Sequence, residues 1–360
     1  KPSAPMNRLS TLFHTKTRFG GRGLRLYLVG ILCLISLHSI SAQEGPDLQL
    51  IEAKKIWDQG EHNAFTDLVR FQDSFYCVFR EGEGHVCPEA NIRIIRSKDG
   101  DSWESAGLLT LKGYDLRDPK IVVHPKEKQL MVLGGAAVRE ATKTATMQQS
   151  FVSFSKDGNN WEPIQWVADR DWWLWRVTWF RGRAYGVEYD ASFESRTQRR
   201  YGTRLVRSKD GRQFETVVPQ LFQESGPTEA TVRFDKDGTC YCLQRRDGKE
   251  TNTALIGISK PPYTEWKWND LGVYFGGPNF IQVTEGLWLA AGRIMDDRGA
   301  RTVICRLDPD KANLTPLLTI PSGGDTSYPG MVWYENRLWI SYYSSHEGKT
   351  SIYMAKVSVR

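Results

Sequence analysis

The sequence predicts an all-β fold, a six-bladed β-propeller of four-stranded antiparallel blades closed by its N-terminal strand, and three observations carry that expectation. Ser-Lys-Asp-Gly, then an aromatic residue after two more positions, occurs at Ser97 to Trp103, Ser155 to Trp161 and Ser208 to Phe214. Equivalent strand ends recur at Ser97, Ser155, Ser208, Ser259, Arg306 and Lys356, at intervals of 58, 53, 51, 47 and 50 residues. No convincing amphipathic helix interrupts them. Repeats of that period, each with several short strands, are the sequence mark of blades around a channel.

The elements follow in chain order. Leu48 to Trp57 is a free strand ahead of the first repeat. Innermost strands are expected at Phe65 to Phe71, Lys120 to His124, Arg176 to Phe180, Ala230 to Phe234, Asn279 to Val283 and Met331 to Tyr334. Tight links such as Gln72-Asp73, Arg181-Gly182 and Glu335-Asn336 lead into second strands. The runs Ile92 to Arg96, Phe151 to Phe154 and Thr203 to Arg207 each lead into an Asp-Gly corner, where the Asp can accept bonds from turn amides while the aromatic packs beneath. Degraded copies occupy Thr253 to Ser259 and Thr302 to Arg306. The last strand, Thr350 to Lys356, has no turn after it, so Leu48 to Trp57 is expected to pair there and remove two open edges.

Composition agrees with a folded chain: 360 residues with 40% hydrophobic, 12% aromatic and 25% charged side chains. The net charge of +6 invites a nucleic-acid reading, but it is misplaced for one. Residues 1 to 42 hold six of the 48 basic residues and no acidic one, leaving 42 of each sign in the body. Those cations precede an apolar run from Leu26 to Leu37 and the small residues Ser39, Ser41 and Ala42, the pattern of a signal peptide with an upstream leader. The run is too short for a comfortable bilayer crossing of roughly 20 residues. The expectation is export, to the periplasm or beyond the cell, of one domain over residues 43 to 360, with no stable membrane span after cleavage and no nucleic-acid partner. Cys77, Cys87, Cys240, Cys242 and Cys305 remain in the body with no CxxC pair, so neither a disulfide framework nor a zinc site is indicated, although a Cys77–Cys87 bond is conceivable.

In this topology the starts of first strands and the ends of second strands meet on one face. That face collects His62, Asn63, Asp67, Arg80, Glu81, Arg117, Asp118, Trp175, Arg176, Glu229, Arg245, Arg246, Asp247, Asn279, Arg293, Tyr328, His346 and Glu347. A concave mouth with such side chains suits a small molecule or glycan. Trp175, beside Arg176 at a strand start, can stack on a pyranose ring.

The sequence resembles the sialidase (neuraminidase) family, whose members carry Asp-box repeats on a six-bladed propeller. Gly226-Pro227-Thr228-Glu229-Ala230, followed by a strand, Asp237-Gly238 and Arg245-Arg246, is similar to the family segment that carries a base glutamate and a substrate-binding arginine. Gly277-Pro278-Asn279 running to Arg293 matches the third arginine segment, and Ser327-Tyr328 matches the nucleophilic tyrosine. The resemblance implies a retaining exo-α-sialidase-like hydrolase that removes a terminal sialic acid or related 2-keto sugar acid from glycoconjugates, with no cofactor or metal. Tyr328 would be nucleophile, Glu229 its base, and Arg245 or Arg246 with Arg293 the grip on the substrate carboxylate. The family's acid/base aspartate precedes the first Asp box; here the loop offers Glu83 and Glu89, with His85 behind them. The family's first arginine is replaced by the segment from His62 to Asp67, leaving Arg80, Arg117 or Arg176 to reach the site.

Tyrosine makes physical sense as nucleophile where the reacting carbon already bears a carboxylate. Two like charges near 4 Å repel by about 4 kcal/mol at an effective dielectric of 20, a penalty that a neutral phenol escapes until a glutamate takes its proton. Arginine grips a carboxylate in a bidentate fork that lysine cannot reproduce. Two other functions fit the same residues: a propeller polysaccharide lyase, with Tyr328 or His62 abstracting the proton beside a uronate carboxylate neutralised by Arg117 or Arg293, and a non-catalytic glycan-binding propeller.

Overall fold

A computed structural model describes residues 45–139 and 145–360 of the chain. The leader and signal peptide expected over residues 1 to 42 lie outside the described residues. Four four-stranded antiparallel sheets are built from consecutive strands. Trp172–Phe180 begins one, Pro227–Phe234 the second, Gly276–Thr284 the third and Thr326–Tyr334 the fourth. An eight-stranded sheet consists of two further meanders, which start at His62–Phe71 and Asp115–His124 and are joined by a single parallel pairing of Ala90 with Asp115. The arrangement is consistent with a β-propeller. Leu48–Trp57 pairs antiparallel with Ser351–Val359, Leu48 opposite Val359, so the strand set free at the start of the body completes the last sheet as expected.

The first strands of the meanders touch one another in sequence, and the last, Thr326–Tyr334, also touches the first, His62–Phe71. Between them lies a cavity lined by one or more residues from each, among them Asp67, Ile121, Arg176, Arg233, Asn279 and Met331. Arg176 donates to Asp67 Oδ2 at 2.8 Å and the amide of Ile121 to the same oxygen at 3.0 Å, so these buried charges tie three first strands together.

All six first strands start earlier than expected, by three to five residues, at His62, Asp115, Trp172, Pro227, Gly276 and Thr326. The reason is a bulge at the same place in each. The pairing register slips between Ala64 and Asp67, Arg117 and Lys120, Leu174 and Val177, Pro227 and Ala230, Gly276 and Asn279, and Ser327 and Gly330. A bulge breaks the period of two on which strand reading depends and re-aims the side chains it carries. Those side chains include Asp118, Glu229 and Tyr328.

At the opposite end of the sheets the three Asp-Gly turns behave as their chemistry requires. Asp99 Oδ1 accepts from the amides of Asp101 and Ser102 at 2.7 and 2.9 Å, Asp157 Oδ1 from those of Asn159 and Asn160 at 2.8 Å, and Asp210 Oδ1 from those of Arg212 and Gln213 at 2.8 and 3.0 Å. Trp161 plugs the neighbouring meander's apolar layer beside Ile94, Ala106 and Leu109, and its indole donates to the carbonyl of Ala106 at 3.3 Å. Trp103 packs similarly with Phe75 and Trp339, and Phe214 with Met131 and Phe154. Apolar clusters thus lie between adjacent sheets as well as along them. Residues Gly45–Arg360 form one compact unit.

One short helix, Phe193–Gln198, was not expected; it is capped by Ser192, whose hydroxyl accepts from the amide of Ser195. The five described cysteines are free and buried. The conceivable Cys77–Cys87 bond is therefore not formed: Cys87 Sγ instead donates to the carbonyl of Glu89 at 2.9 Å and lies 2.9 Å from Arg80 Nη2.

Candidate active site

Tyr328 sits at the bulge of Thr326–Tyr334 with φ of 48°, after Ser327 at 133°. Positive φ in two successive non-glycine residues is strained backbone that surrounding bonds must hold. They do: Ser327 Oγ donates to the carbonyl of Gly276 at 3.0 Å, and Thr66 Oγ1 to that of Tyr328 at 2.8 Å. Three rings fix the phenol. Phe65 meets it edge-on at 5.1 Å, Trp175 lies at 5.2 Å and Tyr343 stacks at 5.9 Å.

So placed, the Tyr328 hydroxyl donates to Glu229 Oε1. Arg245 Nη1 donates to the same oxygen at 2.7 Å, and the amide of Gly277 donates to Oε2 at 2.7 Å. Gly277 is required here: at its φ of 62° a Cβ would stand 2.9 Å from Tyr328 Cδ1. Glu229 is only 5% exposed. Burial raises its carboxyl, but the Arg245 guanidinium, the Tyr328 hydroxyl and Arg293 outweigh that and hold it below the usual carboxylate range. Burial, with Glu229 and Asp118 nearby, pushes the Tyr328 phenol well above its ordinary value. The pair therefore rests as a neutral phenol beside a charged carboxylate.

Arg245 and Arg246 part company. Arg245 also binds Asp247 Oδ1, at 2.9 Å through Nη2, and its guanidinium lies 5.5 Å from the Tyr274 ring centre. Arg246 turns away: its Nε donates to the carbonyl of Thr253 at 2.6 Å and its Nη2 to Asp270. Arg293 reaches Tyr274 Oη and the carbonyl of Thr326, each at 3.2 Å, and lines an open groove with Tyr274, Asn252 and Gly324.

Arg80 and Arg117 meet at Asp115. Arg80, fully buried at 0% exposure, donates to Asp115 Oδ1 at 2.8 Å, while Arg117 and Arg139 take Oδ2 at 3.0 and 2.8 Å. Arg80 is thus enclosed away from any ligand. Arg117 remains at the mouth, 4.8 Å from the Phe65 ring centre. Arg117 is ion-paired with Asp115, and Asp118 Oδ1 is buried with no hydrogen-bond partner among the described residues. Burial raises the Asp118 carboxyl despite Arg117 and Lys120. Lys120 Nζ sits 4.1 Å over the Trp175 ring, its ammonium pushed down to about 8 by burial and by Arg176.

Trp175 packs beneath Tyr328 and is 1% exposed, so no sugar stacks on it. Asn279 is buried as well: it donates to the carbonyl of Pro329 at 2.9 Å and accepts from Arg233 Nη2 at 2.9 Å. His62 Nε2 lies 3.0 Å from Asp325 Oδ2, and His85 Nδ1 lies 2.7 Å from the same oxygen. Glu83 and Glu89 are exposed on the loop, with Glu89 Oε1 accepting from the amide of Gly113 at 2.9 Å. Among the described residues no hydrogen bond joins either to Tyr328 or Glu229. Asp325 is the side chain that the sequence did not single out; Asp118 stood among the mouth residues with no role assigned to it.

No family model matches the chain, and no curated protein matches it in sequence. Solved structures do resemble it. A protein of unknown function from Dyadobacter fermentans superposes with a TM-score of 0.75 at 17% identity, covering 88% of this chain and 100% of that one. Trypanosoma rangeli sialidase in complex with the inhibitor DANA gives 0.63 at 13%, over 82% of this chain and 55% of the sialidase. Penicillium chrysogenum α-L-arabinanase complexed with arabinobiose gives 0.66 at 13%, over 85% and 98%. At these identities the likeness speaks for the fold.

Proposed function

We propose that the chain is an exported glycoside hydrolase on six blades that removes a terminal sialic acid, or a related 2-keto sugar acid, from glycoconjugates with retention of configuration. The observation that carries this reading is the Tyr328 hydroxyl donating to a buried Glu229 carboxylate that Arg245 shares. The cyclic contacts of the first strands support reading each meander as a blade.

The resting pair holds its proton on the phenol, so proton transfer accompanies attack instead of preceding it. A substrate carboxylate entering between Arg245 and Arg293 competes with Glu229 for the Arg245 guanidinium. Loosening that contact raises the basicity of Glu229 at the moment the base is needed. Tyr328 Oη then bonds to the anomeric carbon as Glu229 takes its proton, and the glycosidic C–O bond breaks. Asp118, whose carboxyl burial raises, gives a proton to the departing oxygen. In the second half Asp118 takes a proton from water, whose oxygen attacks the same carbon; the bond to Tyr328 breaks and Glu229 returns its proton. Two inversions give retention.

The test is release of fluorophore from a panel of sialic-acid and related keto-acid glycosides by the chain and by Tyr328→Phe. Turnover by the chain and not by the variant is expected; no release from any member discards the reading. Products that absorb in the ultraviolet through a new C=C bond would indicate lyase chemistry instead.

A further inference from the structure

We propose that His62, His85 and Asp325 bind a transition-metal dication of the Zn²⁺ type at the rim of the candidate active site. The three residues come from distant parts of the chain: the start of the first strand His62–Phe71, the loop after Ser74–Gly82, and the residue before Thr326–Tyr334. His62 Nε2, His85 Nδ1 and Asp325 Oδ2 nevertheless all lie within 4.8 Å of one another. Zinc bonds of about 2.0–2.1 Å place tetrahedral ligand atoms about 3.3 Å apart, so small side-chain rotations suffice to enclose the ion. Two imidazoles and one carboxylate favour zinc and its neighbours over calcium or magnesium, which take oxygen ligands.

The surroundings suit such a site. Asp325 Oδ1 accepts from Tyr343 Oη at 2.9 Å, and the Asp325 amide donates to Ser345 Oγ at 2.8 Å, which fixes the carboxylate from behind as outer partners of metal ligands do. His62 is 8% exposed; without a metal its Nε2 donates to Asp325 Oδ2, and because Nδ1 has no partner among the described residues the proton can shift there and free the Nε2 lone pair for a metal. His85 is the outward member, with a side chain 53% exposed, and leaves a fourth position open to water or ligand. Of His85, Arg117 contacts the backbone carbonyl, at 2.8 Å, and not the ring; its guanidinium is drawn toward Asp115, which it shares with Arg80 and Arg139.

The position matters for the reaction. Phe65 lies 5.2 Å from the His85 ring and 5.1 Å from Tyr328, and Tyr343 stacks on Tyr328 while its hydroxyl holds Asp325. Arg245 is shared with Glu229 and Asp247, and Arg117 with Asp115. A dication one ring away from Tyr328 adds positive charge at the rim, and it would join Arg293 in holding an anionic sugar. That role rests on the function proposed above; binding of the metal does not.

The chain is stripped with chelator, freed of it, and titrated with Zn²⁺ by calorimetry, with Co²⁺ as a visible-absorption probe of the ligand set. One Zn²⁺ per chain is expected, with about 100-fold weaker binding in His85→Ala, roughly 10-fold weaker in Tyr343→Phe, and unchanged binding in Tyr328→Phe. Asp325→Asn provides a second ligand variant, and circular dichroism confirms that each is folded. Absence of saturable binding, or equal binding by wild type and both ligand variants, overturns the proposal. Zinc binding without sialoside turnover would remove the hydrolase function and leave the metal site standing.

Discussion

The two ends of the sheets are both rich in carboxylates, and they use them in opposite ways. At the Asp-Gly end, Asp99 is exposed, accepts from two amides and the Ser97 hydroxyl, and is thereby held down to about 2. At the mouth, Asp118 is 8% exposed, keeps an oxygen without a partner among the described residues, and is pushed up. A satisfied carboxylate locks a turn; a buried, unsatisfied one is biased toward its protonated form. The bulges make the difference, because they place side chains where no regular strand would point them.

Substitutions at the two ends should therefore separate activity from stability. The largest effects belong to the Tyr328–Glu229 pair: Glu229→Gln should lower kcat by about 10²–10⁴-fold, and Tyr328→Phe by at least as much, with melting temperatures near that of the parent. Asp118→Asn should lower kcat/KM about 10²–10⁴-fold on glycosides with poor leaving groups and little on activated aryl glycosides, whose oxygen needs no proton, while kcat falls on both because the same carboxylate activates water in the second half. The pH profile checks the same assignment. Activity should persist below the ordinary carboxylate range, because Glu229 is held low and stays charged there. It should fall on the alkaline side as Asp118, held high, loses its proton. That alkaline limb should vanish in Asp118→Asn.

A smaller effect separates the two arginines. Arg245→Lys should lower kcat/KM by about 10–100-fold, the loss of a charged bidentate contact worth about 1.5–3 kcal/mol, whereas Arg246→Lys should leave it unchanged. Least visible to an activity assay is Asp99→Ala, which should lower Tm and not kcat. Its contribution has a definite pH window: the folded value of about 2 lies below the ordinary aspartate value of 3.8, so the stabilisation is present above 3.8 and lost as pH falls through about 2. A drop in kcat for Asp99→Ala, or a drop in Tm alone for Asp118→Asn, would break the contrast between the ends.

What could be read in the sequence is what local chemistry determines. Ser-Lys-Asp-Gly makes its own turn from residues two and three apart, so its three copies were legible, and with them the period and the closing strand. The strand starts were not, because each bulge interrupts the alternation. Alternation also says that Arg245 and Arg246 face opposite ways without saying which faces Glu229; only the three-dimensional pairing settles it. Tyr328 and Glu229 lie 99 positions apart, and only the resemblance joined them before the geometry did. Asp325, 263 positions from His62 and 240 from His85, had no such help.

The central claim is that a phenolic oxygen, and not a carboxylate, bonds to the sugar. Incubation with a fluorinated sialic acid that forms its enzyme adduct quickly and loses it slowly, followed by peptide mass spectrometry, tests this directly. One glycosyl adduct is expected, on the peptide that contains Tyr328. An adduct on Glu229 or Asp118, or continued hydrolysis with no adduct on any peptide, would contradict it.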